Sequence, residues 1–154
     1  MGSLANVLRD EGQYPEAEQL YRQTIDAKRQ ALGPEHPSTL LAVNDLGNLL
    51  KKEKRFPESE KLYRQALEGR MHVLGAGHPD TASSAYALAR VLALEGKRDD
   101  ALTNLQFAAN HALGADTRTG LESDADLKSL HGDPRFDVLV ATSQQPALTP
   151  QKTN

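Results

Sequence analysis

Apolar residues recur along this chain at helical spacing. Val43, Leu46, Gly47 and Leu50 fall at i, i+3, i+4 and i+7, one face of a helix. After a break at Lys54-Arg55-Phe56-Pro57 the spacing resumes with Ser59, Leu62, Tyr63, Ala66 and Leu67. Pro57 suits the opening turn of that second helix, where its missing N–H costs nothing. Gly47, Ser59 and Ala66 are small at helix-facing positions, so the two helices can approach closely and form a hairpin. Read in this way, the chain predicts helices over 3–12, 15–32, 37–53, 57–74, 79–95 and 98–113. A turn-rich stretch at 114–123 and a short helical turn at 124–131 follow. A last helix is expected over 134–143, with Asp133 as N-cap and Pro134 at its first position. Residues 144–154 are polar with two prolines and are expected to be disordered.

The pattern repeats. Residues 4–39 align with residues 46–81 without a gap, and 16 of the 36 pairs are identical. A third, weaker copy continues at the same 42-residue offset, where Leu88, Ala89, Leu92, Glu95, Ala101 and Ala108 follow Leu46, Gly47, Leu50, Glu53, Ser59 and Ala66. A fixed period means one structural unit stacked on copies of itself, each burying its apolar face against the next. Gly33 and Gly75 read as helix stops in a left-handed cap conformation, and Pro37 and Pro79 as starts of the next helix. His36 and His78 sit in these connectors as part of a repeated junction, with no ligand set beside them. The third copy lacks the G-x-x-H-P ending, so the array is expected to stop there.

The spacing Leu46-Gly47-x-x-Leu50 followed by Ser59-x-x-x-Tyr63-x-x-Ala66 resembles the tetratricopeptide repeat (TPR) pattern. The 42-residue period and the endings Gly33-Pro34-Glu35-His36-Pro37 and Gly75-Ala76-Gly77-His78-Pro79 are similar to the kinesin-light-chain variety of that repeat. The resemblance implies an all-α fold, a right-handed superhelical solenoid of about three hairpins with a C-terminal capping segment. Three units are expected over 1–113 (about 3–36, 37–78 and 79–113), with the cap at 114–143. It says little about any motor role. Asp124-x-Asp126-Leu127-x-x-Leu130-x-x-Asp133-Pro134-Arg135-Phe136-x-x-Leu139 resembles the segment ending many bacterial arrays of this kind, which often belong to large multidomain proteins. Leu127, Leu130, Phe136, Leu139 and Val140 can cover the open end of the last hairpin. The rival view of Asp124, Asp126 and Asp133 as a calcium loop lacks the glycine and glutamate such a loop needs. Because Met1-Gly2-Ser3 enters a helix almost at once, the first helix reads as truncated. That suggests a fragment of a longer repeat protein with a cloning scar at Gly2-Ser3.

Composition narrows the function. The net charge of -3 gives no basic footprint for nucleic acid, and without cysteine there is neither a disulfide framework nor thiolate chemistry. No apolar run approaches the roughly 18 residues of a membrane span. A cytoplasmic protein is expected, without cofactor or metal. None of the G-x-S-x-G, H-E-x-x-H, P-loop or G-x-G-x-x-G patterns occurs, and Asp99-Asp100 read as ordinary helix-start charges. The chain is therefore expected not to be an enzyme.

The resemblance implies that the first helix of each unit lines a concave face, and the helical spacing then picks the residues. They are Asn6 and Arg9 in the first unit, Asn44, Asp45, Asn48, Lys51 and Lys52 in the second, and Tyr86 and Arg90 in the third. Arg9, Lys51, Lys52 and Arg90 outnumber Asp10 and Asp45, which points to an extended, acidic peptide whose backbone the asparagine amides can pair with. Asn6, Asn48 and Arg90 hold the same repeat position. They match three residues of the carboxylate clamp found in chaperone-binding relatives, but Gly2 and Tyr86 stand where that clamp has lysines. In a plainer view, Lys51 and Lys52 are a solvated helix end and Asn44 and Asn48 bridge helices. Tyr21 and Tyr63 are expected in the core. Glu16, Glu18, Arg22, Glu58, Glu60, Lys61 and Arg64 read as a solvated convex face with i,i+4 pairs. The expected function is a non-catalytic scaffold for a protein or peptide partner. The alternative is a self-association or spacer module of a larger bacterial protein. A homodimer through the N-terminal end would cover Val7 and Leu8.

Overall fold

The computed structural model describes residues 2–143, so the expectation of a disordered tail at 144–154 lies outside the described residues. The helices are α1 (Gly2–Asp10), α2 (Tyr14–Leu32), α3 (Pro37–Lys52), α4 (Phe56–Leu74), α5 (Pro79–Leu94), α6 (Arg98–Asn110), α7 (Ala115–Thr119) and α8 (Pro134–Ser143). Two 3-10 turns, Leu121–Ser123 and Ala125–Leu130, lie between α7 and α8. The fold is all-α, and α1 to α6 pack each on the next in chain order as three stacked hairpins of a solenoid. The stretch 114–123, read from sequence as turns, holds α7 and the first 3-10 turn.

The period explains the local geometry. Gly33 (φ 96°, ψ 160°) and Gly75 (φ 82°, ψ 169°) end α2 and α4. Their φ is positive as expected, but ψ is extended, a region open essentially to glycine alone. The Thr39 and Thr81 hydroxyls then donate to the carbonyls of Gly33 and Gly75, each at 2.9 Å. His36 Nδ1 accepts from the Ser38 N–H at 3.2 Å, and His78 Nδ1 accepts from the Asp80 N–H at 3.1 Å. The two histidines are thus the N-caps of α3 and α5, a role the sequence reading did not assign. Within each hairpin the turn has one residue at positive φ: Gly12 (80°), Lys54 (61°) and Gly96 (76°).

The core runs through the stack. Tyr21, Ile25, Val43, Leu46, Leu49 and Leu50 join the first two units. Tyr63, Leu88, Leu92 and Leu105 join the second unit, the third and the cap. Tyr21 and Tyr63 are core side chains, as the spacing predicts. Gly47 is needed because a Cβ there would lie 2.9 Å from the Tyr63 ring. The cap is an integral part of the core. Leu121, Leu127, Leu130 and Phe136 are all buried, and Leu139 nearly so. Burying the first four contributes about 6–12 kcal/mol. Asp133 caps α8, its carboxylate accepting from the Arg135 N–H at 3.0 Å. The Arg135 guanidinium holds that carboxyl down at about 2.

Ions tie the units together on the outer side. Arg55 Nη1 reaches Glu18 at 2.6 Å and Glu53 at 3.2 Å; 42 residues on, Lys97 Nζ reaches Glu60 at 2.6 Å and Glu95 at 3.1 Å. Glu18 and Glu60, expected on a solvated convex face, are instead mostly covered and bridge to the next unit. The i,i+4 pairs Glu18–Arg22 and Glu60–Arg64 form as well.

Candidate functional site

The first helices α1, α3 and α5 present one shared face, and a residue recurs on it every 42 positions. At 6, 48 and 90 the residues are Asn, Asn and Arg; fifteen positions later, at 21, 63 and 105, they are Tyr, Tyr and Leu. In the first two units these positions pair. The Tyr21 hydroxyl donates to Asn6 Oδ1, and the Tyr63 hydroxyl donates to Asn48 Oδ1 at 2.7 Å. A buried phenol needs such an acceptor, and the bond fixes each carboxamide. The amide N–H groups of Asn6 and Asn48 donate to nothing among the described residues. In the third unit Leu105 offers no hydroxyl, and Arg90 turns elsewhere.

It turns to the cap. Arg90 Nε lies 3.0 Å from Asp124 Oδ2, and Arg90 Nη2 lies 2.7 Å from Asp126 Oδ2. The Tyr86 hydroxyl also donates to Asp124, and Lys51 Nζ donates to Asp126. The Arg90 guanidinium sits 5.6 Å from the centre of the Tyr86 ring. Lys51, Tyr86 and Arg90 are thereby brought together around two carboxylates from the chain itself. Asp124 and Asp126 are spent on these bases, and Asp133 on Arg135, so the three do not converge as a calcium loop would require. The sequence reading missed both aspartates as members of this face. The signal was the third unit itself, which loses its tyrosine and gains a cation in need of a partner.

The other six residues lie towards α1. Arg9 Nε is 3.0 Å and Lys52 Nζ 3.3 Å from Asp10 Oδ1, so one acid serves two bases. Asp10 is 59% exposed. Asn44 Oδ1 is buried without a hydrogen bond. Asp45 is half-buried, and its carboxylate makes no hydrogen bond or ion pair among the described residues. Burial pushes its carboxyl up; Arg9, Arg70 and Lys28 pull the other way without cancelling the effect. Arg70, itself buried, donates to the Ser84 hydroxyl at 2.7 Å and the Asp80 carbonyl at 3.0 Å. With Asp124 and Asp126 added, the four bases counted from sequence face four acids instead of two, and the excess of positive charge is gone.

Elsewhere, a cavity of about 680 Å³ lies between the Gly33–Pro37 connector and the C-terminal half of α4, and none of the nine residues lines it. No three His, Cys, Asp or Glu side chains among the described residues are placed to hold a metal ion, and no described helix is long and apolar enough to cross a membrane.

Comparison with known proteins bears on the repeats. The family model for the tetratricopeptide repeat matches residues 1–71 and 41–113. No curated protein matches the chain. Among solved structures, a Podosopora anserina protein described as a kinesin light chain with nearly identical TPR-like repeats is 23% identical. It has a TM-score of 0.71, over 92% of this chain and 67% of its own. A single-residue variant of that protein gives a TM-score of 0.72 at the same identity and coverage. BtubC (BKLC) from P. vanneervenii is 17% identical with a TM-score of 0.70, over 98% of this chain and 66% of its own. The chain thus spans about two thirds of each, and at these identities the likeness concerns the fold.

Proposed function

From a chain that belongs to the tetratricopeptide repeat family, a family of protein-interaction modules, we propose a non-catalytic scaffold that seats an extended peptide across the concave face of α1, α3 and α5. The ligand's acidic side chains are taken by Arg9 and Lys52, and its backbone by the free amides of Asn6 and Asn48. Asn44 and Asp45 flank this path.

The observation that carries the reading is the Asp124-Ala125-Asp126 stretch. It is an acidic segment packed along α5 and reaching the α3 side chain Lys51, with its carboxylates on Lys51, Tyr86 and Arg90. At the end beside Asp10, Lys52 is half exposed and its ion pair is with one exposed acid, so an incoming carboxylate there competes with an easily hydrated partner. Such contacts act mainly on specificity and on salt dependence.

A peptide array on the full chain, at low and high salt, tests this with the variant Arg9→Gln/Lys52→Gln alongside. We expect salt-sensitive binding of acidic peptides, weakened about tenfold in the variant, with helicity unchanged. Binding that survives the variant at full strength would sink the assignment. The pair Lys51 and Arg90 is unsuitable for this test, because replacing them also strips Asp124 and Asp126 of their partners.

A second reading, self-association, is favoured by one observation. Leu4 and Val7 on α1 are 57% and 50% exposed, whereas their repeat equivalents Leu46, Leu49, Leu88 and Val91 are buried. Leu8, expected from sequence to be exposed with Val7, instead packs partly against the first core cluster.

A further inference from the structure

The concave face has a fourth lining element, and it comes from beyond the repeats. The 3-10 turn Ala125–Leu130 packs along α5 and touches α6. Its Asp126 bridges Lys51 and Arg90, and its N-cap Asp124 meets Arg90 and Tyr86.

Three features hold it there. Leu121 before the aspartates, and Leu127 and Leu130 after them, are all fully buried in the core shared with α5 and α6. Moving the Asp126 backbone away from the face therefore means pulling out the leucine next to it. The segment is also bonded within itself: Asp124 Oδ1 accepts from the Asp126 N–H at 2.9 Å, and the Asp124 carbonyl accepts from the Leu127 N–H at 3.1 Å. Finally it is bonded to α5, the Ser129 hydroxyl donating to the Ala93 carbonyl at 2.9 Å. Asp10, by contrast, meets Arg9 and Lys52 at an exposed position.

We infer that residues 121–130 form a fixed internal ligand. It closes the Lys51–Arg90 subsite and confines an incoming acidic peptide to the α1–α3 part of the face. A second carboxylate cannot reach Arg90 without either displacing buried leucines or sitting against Asp124 and Asp126, where like charges repel. The confinement of the peptide rests on the peptide-binding reading; the closure does not.

Two measurements on the full chain test this. Native-state hydrogen exchange followed by NMR needs no peptide. The Asp126 and Leu127 amides are expected to exchange within about tenfold of the slowest α5 amides, because the segment opens only when its core opens. Exchange about a thousandfold faster or more would overturn the closure, since the segment would then open on its own. The tightest acidic peptide from the array is then titrated. It is expected to move the amide resonances around Asn6 and Lys52 and to leave those of residues 124–130 in place. Resonance shifts along 124–130 would overturn the confinement. If no array peptide bound, the peptide-binding reading would fall while the exchange rates still decided the closure.

Discussion

Single residues in this chain are best understood against their partners 42 positions away. Gly12, Lys54 and Gly96 hold the same turn position, all at positive φ, and only the middle unit places a side chain there. An L-residue in that region is strained by about 1–2 kcal/mol, partly offset because glycine loses more freedom on folding. Lys54→Gly is therefore expected to stabilise the protein by about 0.5–1 kcal/mol and to raise the melting temperature by about 2–3 °C. A calorimetric scan showing no change or a loss would contradict this. The glycines at 12 and 96 were visible in the aligned units; the strain at Lys54 was not, because nothing in a lysine announces its backbone angle. The asparagines show the same limit. Position and repetition marked Asn6 and Asn48 for the inner face, yet the reason they are held there lies fifteen residues on, in the hydroxyls of Tyr21 and Tyr63.

Helix starts and helix ends were not equally legible. Starts came out within a residue wherever proline followed a capping position, as at Pro37, Pro79 and Pro134. The end of α6 falls at Asn110 and not at 113. The third copy has no glycine stop, and the chain turns instead at Ala112 with φ 33°. Contacts between elements were the least visible, since periodicity describes one helix at a time. The junction of α4 with α5 is an example. Burial pushes the Glu60 carboxyl up, but Lys97 and Arg64 outweigh it and hold it at about 2. Burial, and then Glu60 itself, raises the neighbouring Glu95. The signs are opposite. Glu60 adds stability above pH 4.5 that is lost as the pH falls towards 2. Ionised Glu95 costs stability above its raised value and is relieved by protonation as the pH falls through it. Glu95→Gln is accordingly expected to stabilise the protein at pH 7 by up to about 1 kcal/mol, with the gain fading by about pH 4. Thermal melts of the variant at neutral and acid pH check this; a variant less stable than the parent at neutral pH would show that the attraction to Lys97 dominates.

At the scale of the whole molecule, the described residues are closed at the cap by Leu121, Leu127, Leu130 and Phe136, while Leu4 and Val7 of α1 lie in solvent. If a second copy covers that face, sedimentation equilibrium should show an average mass rising with concentration. Leu4→Glu/Val7→Glu should return it to that of the monomer without loss of helicity. A chain monomeric at every concentration would leave the peptide reading alone. The stacking order was legible in the period, and the cap in the resemblance of its Asp124 to Leu139 stretch to segments that end such arrays. The cap's reach into the inner face was not, because it depends on side chains separated by 34 and 75 residues, Arg90 with Asp124 and Lys51 with Asp126.

The outer ionic contacts have a consequence for how such a chain can change length. The base that receives a preceding glutamate is Arg55 in the second unit and Lys97 in the third, but Gln13 in the first. The glutamate offered onward is Glu18 in the first unit and Glu60 in the second, but Leu102 in the third. Only residues 37–78 carry both halves of the fastening. That segment is a module that can follow itself. A tandem duplication of it lengthens the array by one unit, adds one complete junction and leaves both termini with the neighbours they already have. Copying the first or third unit would instead set a glutamine or a leucine where a charge must be met.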